Sequence, residues 1–367
     1  MHRLFPLLLL AGMAPGPGPL LPAQGSDPGK PPPTRAQVVA RGLDYLRRQQ
    51  NGNGSWGTKK GGVIFYTAPC ALALLAQGSS PGAGKYGREL ARALHHLRER
   101  VDDKGAVEGD SSMGCWSQAF TLLVLAEACR RRPGEELQAT VRGMTRWLES
   151  QQLPSGGWFH GTKALANYAT DLVAVTNLAL LSLHAASLCG VPTAPACRER
   201  ALAYLGRMQN DDGGFAYGIG HPMQELSRSG PGRSAGALYA LAALGRGEGA
   251  RARRAASYLQ GRMDTIVQGK VHGTFVQFYW LAGMTCRYLG DPWWRRFRQK
   301  HLDRIPRGQL ADGSFRFRGR VVERVSFGCT LYETAMALLA LQLPQGRLGF
   351  AALRREGKGG RRAKRSL

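Results

Sequence analysis

The stretch WLESQQLPSGGWFH, residues 147–160, joins two kinds of helix through one sharp turn. A helix with one apolar face runs into Gln151 and Gln152, and Pro154, Gly156, Gly157 and Trp158 follow. Glycine opens backbone angles that other residues resist, so the chain can reverse there. An indole placed just after the reversal can fold back over the helix end and bury a large ring. From about Thr170 the text turns almost wholly apolar, as in a helix covered on every side.

The same grammar recurs along the chain. Tyr45 to Gln50 lead into Gly54-Ser55-Trp56-Gly57, and Tyr204 to Gln209 lead into Asp212-Gly213-Gly214-Phe215. Gln309 leads into Asp312-Gly313-Ser314-Phe315. Weaker turns at Lys104-Gly105-Ala106 and Gly269-Lys270-Val271 fill the gaps, giving a period of about 50 residues. Such a period marks a repeat in which one helix pair cannot bury its own core. Amphipathic helices are expected over 35–50, 87–101, 137–151, 195–208, 250–263 and 292–305. Apolar helices are expected over 67–75, 115–129, 170–188, 234–244, 274–289 and 330–341. Ser111 or Ser112 and Thr170 are the expected caps of the second and third, and Pro69 falls in the first turn of the first.

The Gln-rich helix end, the Gly-Gly-Trp turn and the apolar second helix resemble the repeats of the squalene cyclase and protein prenyltransferase superfamily. The resemblance covers about 35–345, and GCWSQAFTLLVLAEA and DLVAVTNLALLSLHAASLCGVP also resemble secreted bacterial squalene-cyclase-like proteins. It implies an all-α fold, an α/α toroid of about six helix pairs. An inner ring of apolar helices would be wrapped by amphipathic outer ones around a central apolar cavity.

The ends of the chain read differently. Met1-His2-Arg3 precedes a mostly apolar run over 4–13, too short to span a bilayer, and Ala23 is a plausible cleavage point. The expected organisation is a signal peptide over 1–23, a Pro/Gly-rich lead-in over 24–34, the toroid over 35–345 and a basic disordered tail over 346–367. That implies a secreted, periplasmic or cell-envelope protein. The net charge is +25, with 50 Lys and Arg against 25 Asp and Glu. Such an excess suits an anionic surface, although the Arg residues are scattered along the outer helices as in an ordinary solvated face. The stretch RREGKGGRRAKR, 354–365, could meet an anionic envelope surface, and no specific nucleic acid is expected. Seven cysteines show no paired metal spacing; most read as small buried hydrophobes, and Cys189 with Cys197 is the pair considered for a disulfide.

Catalytic motifs of the resembling family are missing. Its protonating cyclases use Asp-x-Asp-Asp, where clustered carboxylates keep one acid protonated; Asp102-Asp103 and Asp211-Asp212 do not complete it. The Asp-x-Cys zinc motif of its prenyltransferases is also missing, so no metal and no cofactor is expected. Cys70, Cys115, Asp171, His272 and Cys329 would nonetheless share one rim if the inner helices start together. Gly114-Cys115-Trp116-Ser117-Gln118 loosely resembles the Gly-Cys-Gly-Glu-Gln thioester of complement-like toroids, with His221 as an activator. Trp116 and Ser117 replace its permissive residues, which leaves a buried Cys beside a capping Gln. Gly78-Ser79-Ser80-Pro81-Gly82 fits G-x-S-x-G but ends a helix, so it reads as a turn. His95-His96 reads as a solvated or half-buried helix face.

Two carboxylates stand out as catalytic candidates, Asp171 and Glu333, because a carboxylate in apolar text must be paired, protonated or turned to a cavity. Asp171 also suits a first helical turn. Tyr66, Trp116, Phe278, Tyr279 and Tyr332, with Phe275 and Trp280 beside them, are the aromatics expected to line a ligand cavity. The function expected from all this is an exported toroid holding an apolar ligand or a protein segment, without terpene cyclase acid chemistry. The alternative is an enzyme acting on an isoprenoid-like substrate through a cavity carboxylate.

Overall fold

The computed structural model describes residues 32–58, 63–108, 113–162, 172–218, 227–267, 275–317 and 330–355. Twelve α-helices and no strand occur among them. In chain order they are α1 (Arg35–Arg48), α2 (Val63–Gln77), α3 (Gly87–Arg98), α4 (Gly114–Arg131), α5 (Glu135–Ser150) and α6 (Val173–Leu188). Then come α7 (Pro195–Met208), α8 (Pro231–Ala243), α9 (Ala250–Gln260), α10 (Phe275–Leu289), α11 (Asp291–Lys300) and α12 (Thr330–Gln342). The even-numbered helices form a closed ring: each packs on the next, and α12 packs back on α2. The odd-numbered helices lie outside, each chiefly against the preceding inner helix, so that α1 covers α12. This is the α/α toroid expected from the repeat. No described helix is long and apolar enough to cross a membrane.

Burial follows the two kinds of sequence. In α1 only the stripe Val38, Val39, Gly42, Leu43, Tyr45 and Leu46 is buried, whereas in α12 every residue from Leu331 to Gln342 is. Thr34 opens α1 with a capping box, its hydroxyl accepting from the Gln37 N–H while the Gln37 side chain accepts from the Thr34 N–H.

Four turns repeat one set of hydrogen bonds, which explains the recurring grammar. The N–H of the turn aromatic donates to a hydroxyl of the next inner helix: Trp56 to Thr67 (2.9 Å), Trp158 to Thr176 (3.0 Å), Phe215 to Ser234 (2.8 Å) and Phe315 to Thr334 (2.9 Å). The glutamine that ends each outer helix donates across its turn and into the next outer helix. Gln152 reaches Gly156 O and Cys197 O, and Gln309 reaches Gly313 O and Val38 O. The indoles of Trp56 and Trp158 are fully buried and donate to Leu46 O and Leu148 O of their own outer helices. The turn glycines Gly54, Gly156, Gly213 and Gly313 all have positive φ and press against a carbonyl of the next outer helix, leaving no room for a side chain. In the weaker turn Gln118 of α4 takes the hydroxyl's place, accepting from the Val107 N–H at 2.8 Å.

Three details differ from the sequence reading. Helix α6 begins at Val173 rather than Thr170, which with Ser111 and Ser112 lies outside the described residues. Its entry needs no side-chain cap, because the N–H groups of Leu172 and Val173 donate to the turn carbonyls of Trp158 and Tyr217. Helix α2 starts at Val63, so Pro69 sits inside it rather than in its first turn. The third concerns the C-terminal side. Residues 346–353 are not a loose tail: Leu348, Phe350 and Ala351 are buried, and short 3-10 turns at Leu343–Gln345 and Gly349–Ala351 lay the chain across the ring. This strap seals the end where the inner helices finish. Phe350 packs edge-on against Trp280 of α10, its carbonyl accepts from Tyr239 of α8 at 2.8 Å, and the Gly349 N–H donates to Glu127 of α4 at 3.0 Å. Glu127 is itself buried and takes Arg130 and Arg131 as partners. Residues 1–31 and 356–367, with the expected signal peptide and most of the tail, lie outside the described residues.

Candidate functional site

The inner helices run parallel, so their N-terminal turns gather at the rim opposite the strap. There the ring is filled by aromatic side chains from several helices. Phe65 of α2 stacks on Tyr332 of α12 at 5.1 Å between centroids and meets Phe120 of α4 edge-on at 6.0 Å. Phe120 meets Tyr332 at 6.3 Å, so the rings of three successive inner helices, α12, α2 and α4, form one cluster. The Tyr332 hydroxyl donates to Gln277 of α10 at 2.9 Å, and burial pushes its phenol far upward. Trp116 stacks on Phe120 one helical turn away and on His160 from the turn after α5. Its indole N–H donates to His160 Nδ1 at 2.6 Å, which makes Nδ1 the acceptor and leaves the ring proton on Nε2.

Glu333 lies beside Tyr332 in the first turn of α12 and is 4% exposed. Burial raises its carboxyl to about 7, and the Phe317 N–H at 3.2 Å and the charge of Arg316 offset only part of that. In the neighbourhood of neutrality it is therefore present in both forms, able to give a proton or a hydrogen bond. Arg233 holds the equivalent place in α8, one residue before the hydroxyl that takes the turn aromatic. The residue is 6% exposed; its guanidinium lies 5.5 Å from the Tyr217 ring, donates to Arg228 O and has no carboxylate partner among the described residues. Burial works against its charge.

The aromatics expected to line the cavity divide. Trp116 and Tyr332 join the cluster inside the ring. Phe278 packs on Gly232 of α8, where a Cβ would stand 2.6 Å from its ring. Tyr66 lies against Gly57 of the first turn, and Tyr279 turns outward to Phe317 (5.9 Å) and His301 (6.1 Å), so those two belong to the wall. Asp171, His221, His272, Cys329 and the Phe275 side chain lie outside the described residues. Cys115 is buried and its thiol is raised to about 12 by desolvation. Gln118 is fully buried, its amide donating to Gly105 O (2.7 Å) and Met144 O (3.2 Å), so it holds the turn. Cys70 is buried within α2.

Sequence reading missed Phe65, Phe120, His160 and Arg233. Trp116 and Phe120 stand four apart on one helix face, a legible signal. A lone arginine in the first turn of an apolar helix, with no acid near it in sequence, was another. Phe65 and His160 gave none, because their partners come from other repeats.

A profile of the family described as "Domain of unknown function (DUF6288)" matches residues 35–348. No curated protein sequence matches the chain. Among solved structures, the type II terpene cyclase MstE from Scytonema, in complex with geranylgeranyl dihydroxybenzoate, is similar with TM-score 0.56 at 15% identity, covering 86% of this chain and 98% of that chain. An inactive variant of an alpha-1,6-mannanase of Salegentibacter, in complex with alpha-1,6-mannotriose, gives TM-score 0.62 at 10% identity over 84% of this chain and 98% of that one. A protein from Actinoplanes gives TM-score 0.55 at 21% identity over 87% and 100%. All three likenesses lie at identities where the fold alone is shared.

Proposed function

We propose, for a chain that belongs to the family described as "Domain of unknown function (DUF6288)", that the toroid binds an apolar, isoprenoid-like molecule at the rim where its inner helices begin. The observation that carries this reading is the cluster of Phe65, Phe120 and Tyr332 inside the ring. The phenylalanines have no polar atoms, and the tyrosine hydroxyl is committed to Gln277. Such a floor favours a branched hydrocarbon chain through dispersion and apolar burial. It offers little to the hydroxyls of a sugar, which sets the reading nearer to the terpene cyclase, solved with a geranylgeranyl substrate, than to the mannanase. Glu333, the residue after Tyr332 in α12, adds a buried carboxyl to the same helical turn. Export fits this reading, with the cationic residues of 354–365 meeting an anionic envelope surface.

Titration with geranylgeraniol, followed by tryptophan fluorescence and by native mass spectrometry, tests the reading. Saturable binding that weakens about tenfold in Phe65→Ala and Phe120→Leu supports it, tenfold being about 1.4 kcal/mol. Non-saturable partitioning, or binding indifferent to both substitutions, refutes it.

The second reading is acid catalysis, favoured by the buried carboxyl of Glu333 near pH 7. A neutral carboxylic acid beside aromatic faces can protonate an alkene, and the rings stabilise the carbocation. Incubation with a geranylgeranyl arene in heavy water, read by mass spectrometry, separates the readings. Deuterium in a cyclised product, lost in Glu333→Gln with binding retained, supports catalysis; unchanged substrate with the native enzyme leaves binding alone.

A further inference from the structure

Helix α8 stands opposite α2 in the ring, so its first turn lies across the rim from the aromatic cluster of α12, α2 and α4. Gly230 is its N-cap and offers no side-chain acceptor, and Pro231 opens the first turn. The N-terminal end of a helix carries partial positive charge and unused N–H donors. The Arg233 guanidinium folds back over that same end: a Cβ on Gly230 would stand 2.5 Å from its Cζ. A cation is disfavoured there, since cations suit the opposite end of a helix. Burial adds to the cost, for the residue is 6% exposed. Its Nε is buried without a hydrogen-bond partner, while its Nη2 donates to Arg228 O at 3.0 Å.

Holding the 227–230 segment does not account for this charge, because the segment is fixed without it. Asn210 donates to Ser227 O at 2.8 Å, Ser229 Oγ donates to Asp212 at 2.6 Å, and the Gly230 N–H donates to Phe215 O at 3.1 Å. Asp212, an acid of that turn, is committed to Ser229, to the Gly214 N–H and to Arg262 at 3.9 Å. The Tyr217 ring at 5.5 Å covers one face of the guanidinium without neutralising it. Asn177 of α6 steadies the turn by donating to Arg233 O at 3.2 Å.

We propose that Arg233 and the first turn of α8 bind an oxyanion, the carboxylate head of an amphiphile whose hydrocarbon tail lies on the aromatic floor. The tail rests on the reading of the floor given above; the anion site does not. A guanidinium matches a carboxylate through paired N–H donors, and the helix end adds the same polarity. One ligand group then neutralises both the buried charge and the helix terminus, which the protein leaves uncompensated among the described residues. The rim therefore has two sides. Apolar rings come from α12, α2 and α4, and the cation comes from α8 opposite them.

Geranylgeranoic acid and geranylgeraniol, which differ only at the head, test this when titrated against the full-length protein and Arg233→Met. Acetate and inorganic phosphate are added separately and followed by Tm. The native protein should bind the acid about tenfold tighter than the alcohol, and Arg233→Met should lose that preference while keeping its affinity for the alcohol. Without ligand, Arg233→Met should keep or raise Tm, because it removes a buried charge that lacks a counter-charge. Arg233→Lys retains the charge without the planar fork and should retain a smaller preference. If the alcohol does not bind while acetate or phosphate raises the Tm of the native protein and not of Arg233→Met, the floor reading fails and the anion site stands. Equal affinity for acid and alcohol, with no response of Tm to either ion, overturns the site. A preference for the acid that survives in Arg233→Met also overturns it, and a lower Tm of that variant would then make the guanidinium a loop clamp.

Discussion

Gly313, in the last turn of the ring, lies directly on the backbone of Arg41 in the first helix: a Cβ there would stand 2.5 Å from the Arg41 carbonyl oxygen. The same contact joins every other strong turn to the next outer helix. Here it joins the sixth repeat to the first, helped by Arg41 Nη2 donating to Leu310 O at 3.0 Å, 269 residues away, and by Gln309 donating to Val38 O. Ring closure therefore uses the device that sets the repeat.

Gly313→Ala should be costly for two separable reasons, the positive φ of +91° and the occupied space. Gly82 has φ +75° with nothing within 4 Å of its Cβ position, so Gly82→Ala carries the backbone term alone. We expect a loss of about 1 kcal/mol at Gly82 and about 3 kcal/mol at Gly313, measured by urea unfolding. Equal losses would show that the approach to Arg41 relaxes freely.

Trp158→Ala removes a fully buried indole and its hydrogen bond to Leu148 O at 2.8 Å. A loss of about 3–5 kcal/mol is expected. An unchanged urea midpoint would mean that the turn holds without its ring.

The fold was legible because its signals are local. Gln152, Gly156 and Trp158 stand within seven residues, and each later proved to hold the same joint in other repeats. The lumen was less legible. Phe65, Phe120 and Tyr332 meet only because the ring closes, and nothing in their local text announces it. The strap was missed for a related reason: Leu348 and Phe350 are too few apolar residues to show a period, and their partners Glu127, Tyr239 and Trp280 come from three distant helices.

No thioester is expected at Cys115 and Gln118. The Gln118 amide is spent on Gly105 O, Met144 O and the Val107 N–H, so its carbonyl carbon is held in the turn. Intact mass with and without methylamine decides it. An adduct at Gln118 would require those three bonds to open.

Two buried groups should tilt stability in opposite directions over the same weakly acidic range. Burial, and next the charge of Arg198, lowers His184 to about 4 from its ordinary 6.5. The folded state then binds this proton less well than the unfolded one, so stability is full above about pH 6.5 and is lost as pH falls towards 4. Glu333 has the opposite sign. Burial raises it to about 7, so its contribution is full below its ordinary 4.5 and is lost as pH rises through 7. Each shift corresponds to about 3 kcal/mol at the extreme. In a Tm-against-pH profile His184→Gln should remove a rise between about pH 4 and 6.5, and Glu333→Gln a fall between about pH 4.5 and 7. A Glu333→Gln profile that parallels the native one between about pH 4.5 and 7 would place that carboxylate in solvent.

The last prediction separates the strap from the cationic residues beyond it. Arg355 pairs with Glu248 through its Nε at 2.7 and 2.9 Å, and Phe350 is fully buried, so the packed body runs to the end of the described chain. A chain ending at Gly346 loses Phe350 and the Gly349 bond to Glu127, and should unfold at lower urea by about 3–5 kcal/mol. A chain ending at Arg355 keeps both and should match the full-length midpoint. It nonetheless lacks Lys358, Arg361, Arg362, Lys364 and Arg365, against the single Glu356. Near an anionic lipid surface each such charge contributes about 1 kcal/mol, falling off within a Debye length. Full-length protein should therefore bind vesicles of phosphatidylserine and phosphatidylcholine in a salt-sensitive way, ignore vesicles of phosphatidylcholine alone, and weaken on truncation at Arg355. Equal binding by both chains would assign the affinity to the arginines of the outer helices.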